Sequence, residues 1–295
     1  MIHVLALLGV LSISFSAIFI RLANVSPVTA TFYRAVYGVP VLALVWFASR
    51  DRDDRNRRER LLAFGSGLAL AVDLNLWHES IALVGAGLGT VIPNTQIVFV
   101  ALATWMRRGE RPRLRTVAMI GVVLLGVALT SGLARSDAYG TRPVAGVALG
   151  VAAGFCYAIF LIVFRASNRG LVPPAGPLLD ATLGMAAGAL LCAAFDSGFA
   201  IAVSREAHLW LLALALVSQV VGWLLIATAL PRLPALATSV MLLIQPVFAI
   251  FWGVLIFGER QSVLQWIGSA IVLAGVASLS FEVATAAMAD KPAAP

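Results

Sequence analysis

Stretches of about 20 mostly apolar residues recur along the whole chain, parted by short polar or glycine- and proline-bearing links. They lie near 4–23, 27–49, 60–83, 86–106, 114–133, 143–164, 177–195, 207–229, 235–257 and 263–283. A hydrocarbon core about 30 Å thick takes roughly 20 apolar residues at about 1.5 Å rise each. The pattern therefore predicts an all-α membrane protein of ten transmembrane helices. Links are short, the arginine-rich segment 50–59 being among the longer ones, which leaves no room for an attached soluble domain. Composition agrees, with 61% of residues hydrophobic and 12% charged, where soluble domains carry roughly 45–50% and 25%.

Charge sets the expected orientation. With a cytoplasmic N-terminus, fifteen of the twenty basic residues outside the spans fall in inner links and five (Arg21, Arg135, Arg142, Arg205 and Arg260) in outer ones. That bias is the one membrane insertion imposes, and it predicts an N-in, C-in topology. The net charge of +7 is thus accounted for by the membrane, with no nucleic acid partner implied. The first apolar stretch reads as an uncleaved helix, because nine more follow and no basic segment precedes it. Cys156 and Cys192 both fall inside spans and read as packing residues.

The chain also repeats itself. Residues 96–111 align without gaps to 245–260, matching Gln96 with Gln245, Phe99 with Phe248 and Gly109-Glu110-Arg111 with Gly258-Glu259-Arg260. Leu8-Gly9-Val10 and Ala17-Ile18-Phe19 likewise match Leu149-Gly150-Val151 and Ala158-Ile159-Phe160. The expected organisation is a first five-helix repeat at 1–140, a second at 141–284 and a cytoplasmic tail at 285–295. Five is odd, so the second repeat enters the membrane from the opposite side. Inverted repeats of this kind hold a substrate near the midplane, between the halves.

These features resemble the EamA-type members of the drug/metabolite transporter superfamily. The resemblance rests on the Gly-Glu-Arg turns, on the pairs Ala82-Leu83 and Ala229-Leu230, and on Arg34 in the second helix. It covers nearly the whole chain, and within the group it is nearest to YddG-like aromatic amino acid exporters. It implies ten helices in two inverted repeats and export of a small solute. One departure concerns proline: Pro246 occupies the fourth helix of its repeat, whereas Pro93 stands four residues before the aligned position.

Polar residues inside the spans are costly and mark candidate sites. The third helix is the richest, carrying Asp73, Asn75, Trp77, His78, Glu79 and Ser80. At about 100° per residue, Asp73, Trp77 and Ser80 share one face, and Asn75, His78 and Glu79 the other. Either face is open to the cavity at this point. Arg34 is expected to pair with Asp73 or Glu79, direct substrate contact being the alternative, and these three read as structural or coupling charges. His78 reads either as a proton carrier or carboxylate partner, or as a buried, satisfied histidine. Pro93 and Asn94 break the fourth helix beside Gln96, and Gln245-Pro246 repeats that chemistry in the ninth; interrupted segments in matching positions point to a transport site. Tyr157, Gln219 and Trp223 complete the candidate set of Trp77, His78, Asn94, Gln96, Tyr157, Gln219, Trp223 and Gln245. Glu110 and Glu259 read as salt-bridging or capping residues on exposed turns.

Other chemistries find little support. No phosphate loop, H-E-x-x-H or Gly-x-Ser-x-Gly elbow occurs, so no catalytic residue, metal or cofactor is expected. The expected function is secondary export of small amphipathic metabolites, especially aromatic or large apolar amino acids, across a bacterial inner membrane. Protons are a candidate coupling ion, the bilayer is a partner and a monomer suffices. The alternatives are a broad-specificity drug or nucleotide-sugar carrier of the same fold, or an intramembrane lipid-modifying enzyme.

Overall fold

The structure, a computed structural model, describes residues 2–108, 114–130, 138–167, 173–229 and 235–289. The expected Gly109-Glu110-Arg111 turn and the end of the tail lie outside these residues. The described residues form helices only: α1 (Ile2–Ser14), α2 (Ser16–Ala23), α3 (Pro27–Phe47), α4 (Arg57–Val91), α5 (Gln96–Arg108), α6 (Leu114–Thr130), α7 (Pro143–Ser167), α8 (Ala175–Ala193), α9 (Arg205–Ala213), α10 (Trp223–Ala229), α11 (Ala235–Phe257) and α12 (Val263–Ala289). Six helical runs are long and apolar enough to cross a bilayer, and three shorter apolar helices accompany them. Large apolar side chains point away from the protein around the bundle, among them Leu44, Leu191, Leu255 and Trp266. A soluble surface does not carry such a coat.

Local chemistry explains where the helices start and break. Ser26 caps α3 by accepting from the Thr29 N–H at 3.2 Å, with Pro27 at the first helical position. Asn56 and Glu59 form a reciprocal capping box at the start of α4. The first expected span is two helices that part at Phe15; Ser12 and Ser14 bond back to the Leu8 and Leu11 carbonyls just before the break, a habit that bends helices.

The sharpest feature is Gly85, at φ 86° and ψ 169° inside α4. A Cβ on Gly89 would meet Ile81 Cα at 3.0 Å, so residues four before and four after Gly85 lie against each other. The chain doubles back on a single residue. The expected third and fourth helices are therefore two arms of one hairpin, with no loop between them. The second arm narrows to a 3₁₀ turn at Ile92–Thr95 before α5 resumes, at the break expected from Pro93 and Asn94. The expected eighth helix is also interrupted, by a π-helical stretch at Leu214–Gly222 between α9 and α10.

Small residues hold the bundle tight. On α7, a Cβ at Gly146 would lie 2.4 Å from Val84 Cγ1, at Gly150 2.8 Å from Ile92 Cγ2, and at Gly154 2.9 Å from the Pro93 carbonyl. That stripe lets α7 run directly along the broken second arm. On the other side, a Cβ at Gly67 would sit 1.9 Å from the Ala181 carbonyl, and one at Gly184 1.9 Å from that of Phe64. There α4 and α8 touch backbone to backbone. Ser80 of the first arm also donates to the Gly146 carbonyl of α7 at 2.7 Å, so that arm is pinned between α7 and α8 and its Asp73–Trp77 face lines the interior.

Candidate functional site

The inward face of α4 forms one wall of a cavity of about 180 Å³, lined from both sequence halves. The first half supplies Ser16 of α2, Arg34 of α3, Leu70, Asp73, Leu74 and Trp77 of the first arm, and Thr90, Pro93, Asn94 and Gln96 of the second. Tyr157 and Leu161 of α7, Trp223 and Ile226 of α10, and Gln245 of α11 come from the second half. Of the expected substrate-binding residues, Trp77, Asn94, Gln96, Tyr157, Trp223 and Gln245 meet here, joined by Arg34 and Asp73.

The broken helix supplies the polar floor. Pro93 has no N–H to give, and the Asn94 side chain compensates by donating to the Thr90 and Val91 carbonyls at 2.9 and 3.1 Å. Asn94 therefore spends both donors on the backbone. Three other polar atoms on the cavity side are buried without a hydrogen-bond partner among the described residues: Ser16 Oγ, Arg34 Nη1 and Gln96 Oε1. Such orphans are rare in folded proteins and call for a ligand or water. The aromatic wall is an array: Phe160 stacks on Tyr157 at 5.7 Å and meets Trp223 edge-on at 5.9 Å.

Arg34 departs from expectation. No carboxylate lies within ion-pair distance of it among the described residues. Its Nε donates instead to Gln219 Oε1 at 2.7 Å, and Gln219 Nε2 donates to Thr182 Oγ1 at 3.1 Å. Gln219, fully buried, is not a cavity residue; it orients the guanidinium from behind.

His78 also leaves the candidate set. It is buried against α3, with Nδ1 3.2 Å from the Pro27 carbonyl and 3.5 Å from Thr31 Oγ1. Being next to Trp77, it points about 100° away from the cavity face. Glu79 lies off the cavity as well and forms no ion pair among the described residues. Of the two faces of the third helix, the one carrying Asp73 and Trp77 lines this cavity. The apolar lining Leu70 and Leu74 was unanticipated, yet 70, 73, 74 and 77 follow the i, i+3, i+4, i+7 rule of one helix face.

Each end of the bundle carries a charged clamp. At one end, Glu259 is buried rather than exposed: Oε1 accepts from the Ala86 N–H at 2.6 Å and from Arg21, and Oε2 from the Gly87 N–H at 3.1 Å. Arg21 also lies 3.9 Å above the Phe257 ring. At the other end, Arg55 bonds Asp53 at 2.8 Å and Asp180 at 2.9 Å, with Arg60 3.4 Å from Asp180. The open cleft of about 430 Å³ beside this second clamp is lined by Arg55, Arg57, Arg60 and Asp180 with Leu61 and Phe64, so positive charge predominates there. Among the described residues no cluster of His, Cys, Asp or Glu is arranged for a metal ion.

Comparison with known proteins bears on what the cavity is for. The model of the EamA-like transporter family matches residues 1–132 and again 144–281. An uncharacterized transporter of Archaeoglobus fulgidus is 25% identical over 264 residues, 88% of this chain and 89% of its own. An uncharacterized transporter of Synechocystis is 28% identical over 163 residues, 55% of this chain. The chain spans about half the length of that second relative, 48%. A crystal structure superposes with a TM-score of 0.63 at 18% identity, covering 96% of this chain and 99% of the other, a likeness of fold.

Proposed function

The chain belongs to the EamA-like transporter family, and on that footing we propose that it exports small amphipathic metabolites, amino acids with aromatic or large apolar side chains foremost. In this reading it is a ten-helix secondary transporter of a bacterial inner membrane, working by alternating access. A second match of the same family model in the second half supports two repeats, and five helices in each would make them antiparallel. The outward direction rests on the likeness to aromatic amino acid exporters.

The observation that carries the reading is the cavity between the halves, where orphaned polar atoms face Trp77, Tyr157 and Trp223. A solute with a polar head and a flat apolar side chain satisfies both sets of walls. Size bears on the rival carriers: drug-sized ligands occupy pockets of roughly 300–1,000 Å³, and this one measures about 180 Å³. The intramembrane enzyme alternative would call on Asp73, His78 and Glu79 together, and only Asp73 reaches the cavity.

Flux of labelled phenylalanine or tryptophan into liposomes containing the purified protein tests the proposal. Transport above that of empty vesicles is expected. No flux of any amino acid defeats the substrate assignment, and competition by unrelated organic cations moves it toward a drug carrier.

A further inference from the structure

Arg34 is 3% exposed, faces the cavity and is held from one side only. Its Nε is committed to Gln219, while Nη1 is buried with no partner among the described residues. A guanidinium stays charged in any protein environment. Leaving a donor unmet in a low-dielectric interior is costly, and an anionic group entering the cavity is the partner that meets it most strongly. Across the same cavity, Asp73 is 6% exposed and forms no hydrogen bond or ion pair with any described residue. A guanidinium and a carboxyl group share one small chamber and do not touch.

We infer that these are the two poles of a zwitterion site: Arg34 takes the solute's carboxylate through the guanidinium edge that Gln219 does not hold, and Asp73 takes its ammonium group. The inference rests on the transport reading above and assigns the chemistry of recognition within it. A zwitterion fits where a lone cation or anion does not, because either alone leaves one buried charge uncompensated. The relay from Thr182 through Gln219 fixes the Nε edge of the guanidinium, leaving its other edge to the ligand. Gln219 is a positioning residue here. The aromatic walls then receive the side chain, with Trp77 one helical turn from Asp73 on the same face.

Three probes separate the poles: phenylalanine, phenethylamine (ammonium only) and 3-phenylpropionate (carboxylate only), titrated calorimetrically into the purified protein. Phenylalanine should bind tightest, by about 30-fold or more, the usual consequence of leaving a buried charge unpaired. R34Q should weaken phenylalanine and phenylpropionate by a similar factor and leave phenethylamine unchanged; D73N should do the reverse. Q219L should act like a weaker R34Q. Should a variant not fold, the order of the three probes on the wild-type protein still decides. Equal loss for all three probes in R34Q, or no loss, overturns the inference and leaves amino acid transport standing. Binding of phenylpropionate alone, abolished by R34Q, keeps the anionic pole but defeats Asp73 as its counterpart and the amino acid reading with it. Binding of none of the probes overturns both.

Discussion

Glu259 Oε1 accepts a 2.6 Å hydrogen bond from the backbone N–H of Ala86, a residue 173 positions away in the chain. The bond lands where the second arm of α4 begins after Gly85, among the first N–H groups of a helical segment that has no intrahelical partners for them. A carboxylate there meets both the free donors and the positive end of the helix dipole. The turn at the end of α11 in the second half thus caps a helical arm of the first. Gly253 and Gly87 make room for it, since a Cβ on Gly253 would lie 2.5 Å from Glu259 Oε2 and one on Gly87 2.6 Å from Gln261 Nε2.

E259A is therefore expected to destabilise the protein by about 3–5 kcal/mol, as for any buried charged partner removed from its group. E259Q keeps an acceptor for one N–H and should lose less. Thermal melting of the purified variants in one detergent checks both. Melting of E259A within about 0.5 kcal/mol of wild type, the range of ordinary surface changes, would show that the cap contributes nothing.

The contact of α4 with α8 makes a second prediction. Because a Cβ at Gly184 would sit 1.9 Å from the Phe64 carbonyl, G184A must push the helices apart. Overpacking of this kind costs about 1–3 kcal/mol. G65A is the control on the same α4, since nothing lies within 4 Å of a Cβ there, and it should melt no lower than the wild type, alanine being the better helix former.

Asp53 lies in the link between α3 and α4, outside the spans. The bond from the Arg55 guanidinium holds its carboxyl below the ordinary carboxylate range; burial works against this, and the Trp46 indole bond works with it. A carboxyl depressed on folding contributes stability that is complete above its unfolded value and fades as pH falls through the folded one. The clamp should therefore hold at neutral pH and loosen below about pH 4. For Arg55, burial lowers the guanidinium, but its bonds to Asp53 and its attraction to Asp180 raise it overall, so it stays charged throughout that range. D53N should cost about 1–3 kcal/mol at pH 7 and flatten the acid limb of a melting-temperature profile. An unchanged limb would show that other groups set it.

The inverted arrangement is open to a direct labelling experiment. Asp54 and Arg260 are both exposed and lie on opposite sides of the membrane in the proposed topology. In a background with Cys156 and Cys192 replaced, D54C should react with an impermeant maleimide only after the cytoplasmic face is opened, and R260C from outside in intact cells. Reaction of both from one side would dispose of the antiparallel repeats and of the central pathway with them.

Local features were legible and distant ones were not. Pro93 lacks a donor and Gly146, Gly150 and Gly154 fall every four residues, so the broken helix and the close approach of α7 could be read from residue type and spacing. Trp77, Asn94, Tyr157, Trp223 and Gln245 followed from polar or aromatic residues set within apolar spans. The errors share a cause. Glu259 looks like any residue of an exposed turn until Ala86 is brought to it, and Arg34 looks in need of a carboxylate until Gln219 arrives from the other half. Little between Leu214 and Gly222 announces a wider helical turn, because no proline interrupts that stretch and its one glycine, Gly222, stands at the end. His78 could be separated from Trp77 only once the packing of α7 and α8 had fixed which way the first arm faces.

The hairpin at Gly85 leaves its end of the bundle without a handle. Residues 83–92 are buried without exception, so no peptide bond there is within reach of a protease, and no epitope tag can be spliced in without parting the arms. Whatever meets the protein on that side, whether antibody, toxin or crosslinker, meets exposed positions such as Gly258 and Arg260 and finds nothing of the apex to grip.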